Sequence, residues 1–182
     1  MTLVAFMNML WSVLSVVAQA VSLVLLAALF SRKLRDSAFV SFFSSRSTLI
    51  GFVASASATL GSLTYSDVIG YAPCVLCWFQ RIFMYPQVIL SGMALHRRDL
   101  GLRAYGLVLS IIGGAIALWH YLGQLGFGTL PCSAVGYSVS CAERFVMQFG
   151  YITIPMMAFS AFALIAFSYA VSLKKDKDTK TI

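Results

Sequence analysis

Apolar residues along this 182-residue chain collect into five long runs, at roughly 3–30, 48–65, 75–95, 104–123 and 150–173, with short polar or charged stretches between them. Each run is near the ~20 residues that a helix needs to cross the hydrocarbon core of a bilayer. The pattern therefore predicts five transmembrane helices. The second run is the shortest and is rich in small residues (Ala54, Ser55, Ala56, Ser57, Ala58 and Gly61), which favours close packing against other helices over lipid exposure. Pro73 stands where the third helix begins, a position at which its missing N–H would have had no partner. Pro86 falls mid-run and is expected to kink that helix and free the carbonyl of Ile82. Between the runs, the basic, Ser- and Phe-rich segment 31–47 is expected to lie along the membrane surface. The alternation of Glu143, Arg144 and Gln148 with Phe145, Val146 and Phe149 predicts a short surface helix. Lys174 to Lys180 reads as a charged, disordered tail.

Composition agrees and charge adds a direction. With 60% hydrophobic and 10% charged residues, the chain is not an ordinary soluble domain, and its five runs leave no length for a separate one. The net charge of +7 does not point to nucleic acid, because 11 of the 13 Lys and Arg residues lie in three clusters at 31–47, 96–103 and 174–180. Five spans put those clusters on one side, which the excess of basic residues makes cytoplasmic. The amino terminus and all four cysteines are then outside. The first run is long and its basic cluster follows it, which fits an uncleaved span better than a signal peptide.

The candidate chemistry sits at Pro73-Cys74-Val75-Leu76-Cys77-Trp78-Phe79-Gln80-Arg81. A helix starting here brings Cys74 and Cys77 onto one face of its first turn, where backbone N–H groups favour a thiolate. Arg81 follows Cys77 by one turn and reaches the same face. A buried guanidinium is costly in a membrane, so beside a dithiol it reads as functional more than as an anchor. Covalent haem would need His where Trp78 stands. Cys132 and Cys141 form a second pair, reached through the turn-rich Gly126–Pro131. Four cysteines allow three connectivities; local pairing, Cys74–Cys77 and Cys132–Cys141, closes the smallest loops and is the one expected in an oxidising location. A CxxC disulfide closes too small a loop to add much stability, which argues for redox work. Zinc on two cysteine pairs is disfavoured by the eight residues within the second pair. His120, at the end of the fourth run beside Trp119 and Tyr121, falls level with the CxxC; His96, in a basic loop, is expected to be solvated.

These motifs resemble the disulfide bond formation protein B family (DsbB, with its Gram-positive relative BdbC). The Pro73–Arg81 stretch looks like that family's first outer loop. Cys141-Ala142-Glu143-Arg144, with Phe149-Gly150 and Pro155, resembles its second essential-cysteine segment, and His120 stands where the family has a histidine near its quinone. The likeness runs from about 48 to 172. It implies an all-α membrane protein: a four-helix bundle at 48–173, preceded at 1–47 by an added transmembrane helix and basic loop, and followed by the tail at 174–182. It also implies a protein-dithiol:quinone oxidoreductase of the bacterial inner membrane, which reoxidises a DsbA-like thioredoxin-fold protein and passes the electrons to ubiquinone or menaquinone. Cys132 would meet the partner, Cys141 would attack Cys74, and Cys77 would face the quinone. Arg81 would stabilise charge there and His120 would hydrogen-bond a quinone oxygen. The chain departs from the family in its first span and in its short Cys132–Cys141 connection. A vitamin K epoxide reductase-like protein also couples four cysteines to a quinone, but there the loop pair precedes the CxxC. A non-catalytic membrane protein with structural disulfides is the reading from a different class.

Overall fold

The computed structural model describes residues 2–127, 132 and 140–180. Seven α-helices follow in order: α1 (Leu3–Phe30), α2 (Arg32–Arg35), α3 (Ala38–Ser45), α4 (Ser47–Leu63), α5 (Val75–Arg97), α6 (Leu102–Gln124) and α7 (Ile154–Lys180). A π turn, Thr64–Val68, extends α4. The apolar runs thus became helices nearly end for end. Thr2 caps α1 by accepting the Ala5 N–H at 3.3 Å, and Ser37 caps α3 through the Val40 N–H at 3.4 Å, satisfying donors that a helix start leaves free.

The long helices pack around α7, which lies against α1, α4 and α6, while α5 sits between α4 and α6. Met84, Ala117, Phe162, Ile165 and Tyr169 form the central buried cluster. Tyr169 is its wedge. Its ring lies over Gly51 of α4 and Gly106 of α6, where any added Cβ would collide with it, and its hydroxyl meets Ser91 of α5 at 2.9 Å. Glycine at those two sites is what lets three helices close on one aromatic side chain. A second cluster, Leu25, Ala28, Val40 and Val171, joins α1 and α3 to the later part of α7.

Four helices among the described residues are long and apolar enough to cross a membrane: Leu3–Phe30, Ser47–Val68, Leu102–Gln124 and Ile154–Asp178. The third expected span forms α5, which is not among these four; Gln80, Arg81, Gln87 and Ser91 interrupt its apolar sequence. Several of these polar groups are satisfied inside the bundle. The Gln87 Nε2 donates to the Phe83 carbonyl at 2.9 Å, and its Oε1 accepts from Ser110 at 2.8 Å.

Two local expectations fail. The tail is not disordered, since α7 continues to Lys180. Its acidic residues find buried arginines: Asp178 pairs with Arg35 at 3.1 Å and Asp176 with Arg103 at 2.9 Å, which holds the last turns against the bundle. Nor does 142–149 form a surface helix. Gln148 and Ile152 exchange backbone hydrogen bonds of 2.9 Å in both directions, around a turn in which Phe149 and Gly150 take φ of +53° and +78°. Burial of Val146 and Ile152 draws this segment inward. The segment 31–47 is partly inward too: it folds into α2 and α3, and Arg35, Val40 and Ser44 are buried. The cysteines gather at one end of the bundle; the arginine–aspartate pairs mark the other.

Candidate redox site

Cys74 is the N-cap of α5, with extended backbone at φ −74° and ψ 171°. Its Sγ accepts the Cys77 backbone N–H at 3.4 Å, so the thiol occupies the place usually taken by a serine or aspartate oxygen. The two sulfurs lie 2.9 Å apart. Both are free thiols, so the expected Cys74–Cys77 disulfide is open here. The separation is beyond the ~2.05 Å of a bond, and the helix turn holds the pair face to face as a dithiol. Donation from the Cys77 S–H is the main cause that holds the Cys74 thiol below the usual thiol range; burial opposes it and a hydrogen bond with His120 assists it.

Cys132 and Cys141 are joined by a disulfide with Cα atoms 5.7 Å apart. They belong to one buried cluster with Cys74 and Leu76, against which Val75, Cys77 and Ile116 pack. The intervening residues 133–139, including Gly136, lie outside the described residues. Tyr71 ties the two connections together, stacking on Tyr65 at 6.0 Å and on Phe145 at 4.7 Å.

His120, near the end of α6, stands between the cysteine pairs and is only 1% exposed. Its Nδ1 accepts from the Gln80 Nε2 at 3.0 Å. Its Nε2–H donates to the Cys141 carbonyl at 3.0 Å, with the Cys74 sulfur 3.8 Å away. Gln80 and the carbonyl thereby fix the orientation of the ring, with Nδ1 toward α5 and Nε2 toward the second cysteine pair. One turn further on, Gln124 donates to the Cys141 carbonyl at 3.4 Å and to the Glu143 carbonyl at 3.0 Å. Arg144, though exposed, donates to the Gln124 carbonyl. Gln80 and Gln124 were not singled out in the sequence. Their spacing to Cys77 and His120, three and four residues, places them on the same helix faces, but an amide at such a spacing is common on any helix. Cys74, Cys77 and His120 present potential metal-ligand atoms within 4.8 Å of one another; both imidazole nitrogens, however, are already hydrogen-bonded.

Arg81 points elsewhere. Its Nε donates to the Ser62 hydroxyl at 2.9 Å and its Nη2 to the Ser62 carbonyl at 3.3 Å, with the guanidinium 4.9 Å from the Trp78 ring centre. Tyr85 donates to the same hydroxyl at 3.2 Å. Cys77, Gln80 and Arg81 border a cavity of about 480 Å³ that is otherwise mostly apolar and extends between α1, α4, α5 and α7. That volume is within the range of small-molecule sites. His120 does not line it. The site therefore has two halves, a sulfur relay around His120 and an apolar chamber at Arg81, and Cys77 belongs to both.

An apolar helical bundle with two cysteine pairs in one buried cluster defines a membrane protein for thiol–disulfide chemistry. The chain belongs to the disulfide bond formation protein DsbB family, whose description matches residues 44–172. It is 39% identical over 126 residues to the probable disulfide formation protein C of Bacillus cereus, covering 69% of this chain and 91% of that one. To the disulfide bond formation protein C of Bacillus subtilis it is 44% identical over 111 residues, 59% of this chain and 78% of the relative. A probable disulfide formation protein of Metapseudomonas resinovorans is 40% identical over 112 residues, 60% and 76% of the two chains. No solved structure matched. Membership implies thiol oxidation.

Proposed function

We propose that this protein is a protein-dithiol:quinone oxidoreductase of the bacterial cytoplasmic membrane, which reoxidises a DsbA-like thioredoxin-fold protein outside that membrane. The observation that carries the reading is the position of Cys77, whose sulfur is 2.9 Å from Cys74 on one side and which borders the apolar cavity with Arg81 on the other. In this reading α5 is the third of five spans. Its 23 residues give about 34 Å at 1.5 Å each, enough for the hydrocarbon core, and hydrogen bonds inside the bundle offset the cost of Gln87 and Ser91. The basic clusters set the cysteine end outside.

The exchange begins when a thiolate of the reduced partner attacks Cys132. The Cys132–Cys141 bond breaks and Cys141 leaves as a thiolate. Cys141 then attacks Cys74 of a closed Cys74–Cys77 pair, releasing the Cys77 thiolate. The partner's second thiolate closes the partner's own disulfide and frees Cys132, which attacks Cys141 and restores the loop disulfide. The net result is one partner disulfide formed, with two electrons and two protons left on Cys74 and Cys77. His120 and Gln124 hold the Cys141 carbonyl beside Cys74 during these steps, and the N-cap position favours Cys74 as a leaving thiolate.

A quinone bound beside Cys77 supplies the sink for two electrons and two protons, and the cavity fits such a group, having a cation and two hydroxyls at one end and apolar walls beyond. Arg81 holds a positive charge there, anchored by Ser62, and favours negative charge that develops next to it. Neither His120 nitrogen faces this chamber in the described arrangement, so its role is assigned to the sulfur relay. The test is reoxidation of a reduced thioredoxin-fold dithiol protein by the purified protein plus quinone. Cys77→Ser is expected to abolish quinone reduction, and Cys141→Ser to accumulate a partner adduct at Cys132. Sustained turnover by the first variant, or trapping at another cysteine in the second, overturns the assignment.

A further inference from the structure

Helix α1 precedes the region shared with the DsbB family, which starts at residue 44, yet it builds one side of the apolar cavity. It packs along α7 and approaches α4 at the cysteine end, where a Cβ on Gly61 would stand 3.2 Å from the Trp11 ring. At the other end α2 and α3 bridge it to α4. Between these closures α1 lines the cavity with Leu14, Ser15, Ala18 and Val21, and α4 lines it from Leu49 to Ser62. Thirteen helical steps make that stretch about 20 Å long. The polar groups are unevenly placed. Cys77, Arg81, Tyr85 and Ser62 crowd one end; at the far end the Arg46 guanidinium is stacked over Phe42, 4.4 Å from its ring centre. Trp11 lines the cavity near Gly61, and its buried indole N–H has no partner among the described residues.

A trough of this form, about 20 Å long and mostly apolar between its polar redox end and Arg46, suits an amphiphile with a compact polar head and a long hydrocarbon tail. We propose that α1 holds the hydrocarbon tail of the quinone along this trough, with Trp11 closing it beside the head, so that α1 sets how strongly tail length contributes to affinity. This rests on the quinone reading above. Ser15 and Ala18 are the small residues that leave the trough its width on the α1 side, and the Ser15 hydroxyl is turned back onto the Trp11 carbonyl at 2.8 Å. The tail therefore meets methyl and methylene groups rather than a free hydroxyl.

The experiment is direct equilibrium binding to the full chain in detergent or nanodiscs. Two quinones with one head group are compared, one with a multi-unit isoprenoid tail and one with none. In the unaltered protein the tailed quinone binds more tightly. In Ala18→Phe the ratio of the two affinities falls at least about tenfold, which corresponds to about 1.4 kcal/mol and to roughly two methylenes losing their burial. Leu14→Ala removes wall contact without adding bulk and lowers the ratio in the same direction, which keeps the test open if the larger side chain perturbs folding. Leu23→Phe, at a residue of α1 that is 66% exposed and outside the cavity, leaves the ratio as it was. A quinone with a photoreactive group in its tail labels α1. An unchanged ratio in both cavity variants, with binding retained, overturns the role of α1 alone. So does a phospholipid in the trough that the tailed quinone displaces no better than the tail-free one. Failure of the unaltered protein to bind either quinone overturns the proposed function instead.

Discussion

Replacing His120 with leucine tests whether the imidazole couples the two cysteine pairs. The side chain fills a similar space but removes three polar contacts: Gln80 at 3.0 Å, the Cys141 carbonyl at 3.0 Å and the Cys74 sulfur at 3.8 Å. The carbonyl keeps Gln124 at 3.4 Å, so the Gln80 amide is the group left most fully unpaired. An unpaired buried polar group costs about 1–3 kcal/mol, and with the weakened carbonyl the total loss of stability is expected near 2–4 kcal/mol. The effect on the thiol has a definite sign. Loss of a group that favours the thiolate raises the pKa of Cys74. A hydrogen bond to a charged atom is worth about 1.5–3 kcal/mol, the 3.8 Å contact belongs at the low end, and about 1.4 kcal/mol moves a pKa by one. The midpoint should therefore climb by about one pH unit. The assay is the alkylation rate of Cys74 against pH, resolved by peptide mass, beside thermal unfolding in detergent. A folded His120→Leu protein with an unshifted midpoint refutes the coupling. A midpoint near the ordinary thiol value of 9.0 in the unaltered protein refutes the depressed thiol itself.

Two further variants probe the frame that holds the site. Gly106→Leu drives a side chain into the ring of Tyr169, and overpacking of this kind costs about 1–3 kcal/mol; an unchanged unfolding midpoint would show that Tyr169 is not a wedge. Asp176→Asn removes the charge that Arg103 meets at 2.9 Å and leaves the arginine's bonds to Ser47, Ser172 and the Leu100 carbonyl in place. Because Asp176 is 48% exposed, the expected loss is about 1 kcal/mol rather than the 3–5 typical of a fully buried pair. Earlier proteolysis of the last turns of α7 should accompany it, and equal resistance would argue that those turns need no anchor.

The helices were legible because bilayer crossing demands long apolar runs, and α1 and α6 end within two residues of the sequence boundaries. The dithiol on the first turn of α5 was legible as well, since three-residue spacing fixes a shared face. Contacts between distant segments were not. Nothing near Arg81 in the chain points to Ser62, and nothing near His120 points to the Cys141 carbonyl 21 residues away. The tail looked disordered because its lysines dominate the composition, whereas Asp176 and Asp178 decide its structure by meeting two buried arginines. The stretch after Cys141 alternates like a surface helix, yet Val146 and Ile152 gain more from burial than the helix would from its own hydrogen bonds.

Tyr169 has a mechanical consequence. Its ring is seated in notches on two flanking helices while its hydroxyl holds a third, so α7 resembles a shaft keyed into its housing. Sliding or rotating α7 would lift the ring out of both notches together, a change that leaves voids where close packing had been. The helices that carry Cys74, Cys77 and His120 are thereby tied to α7, through Ser91 on α5 and Gly106 on α6, so the cysteine end is built on a stationary chassis.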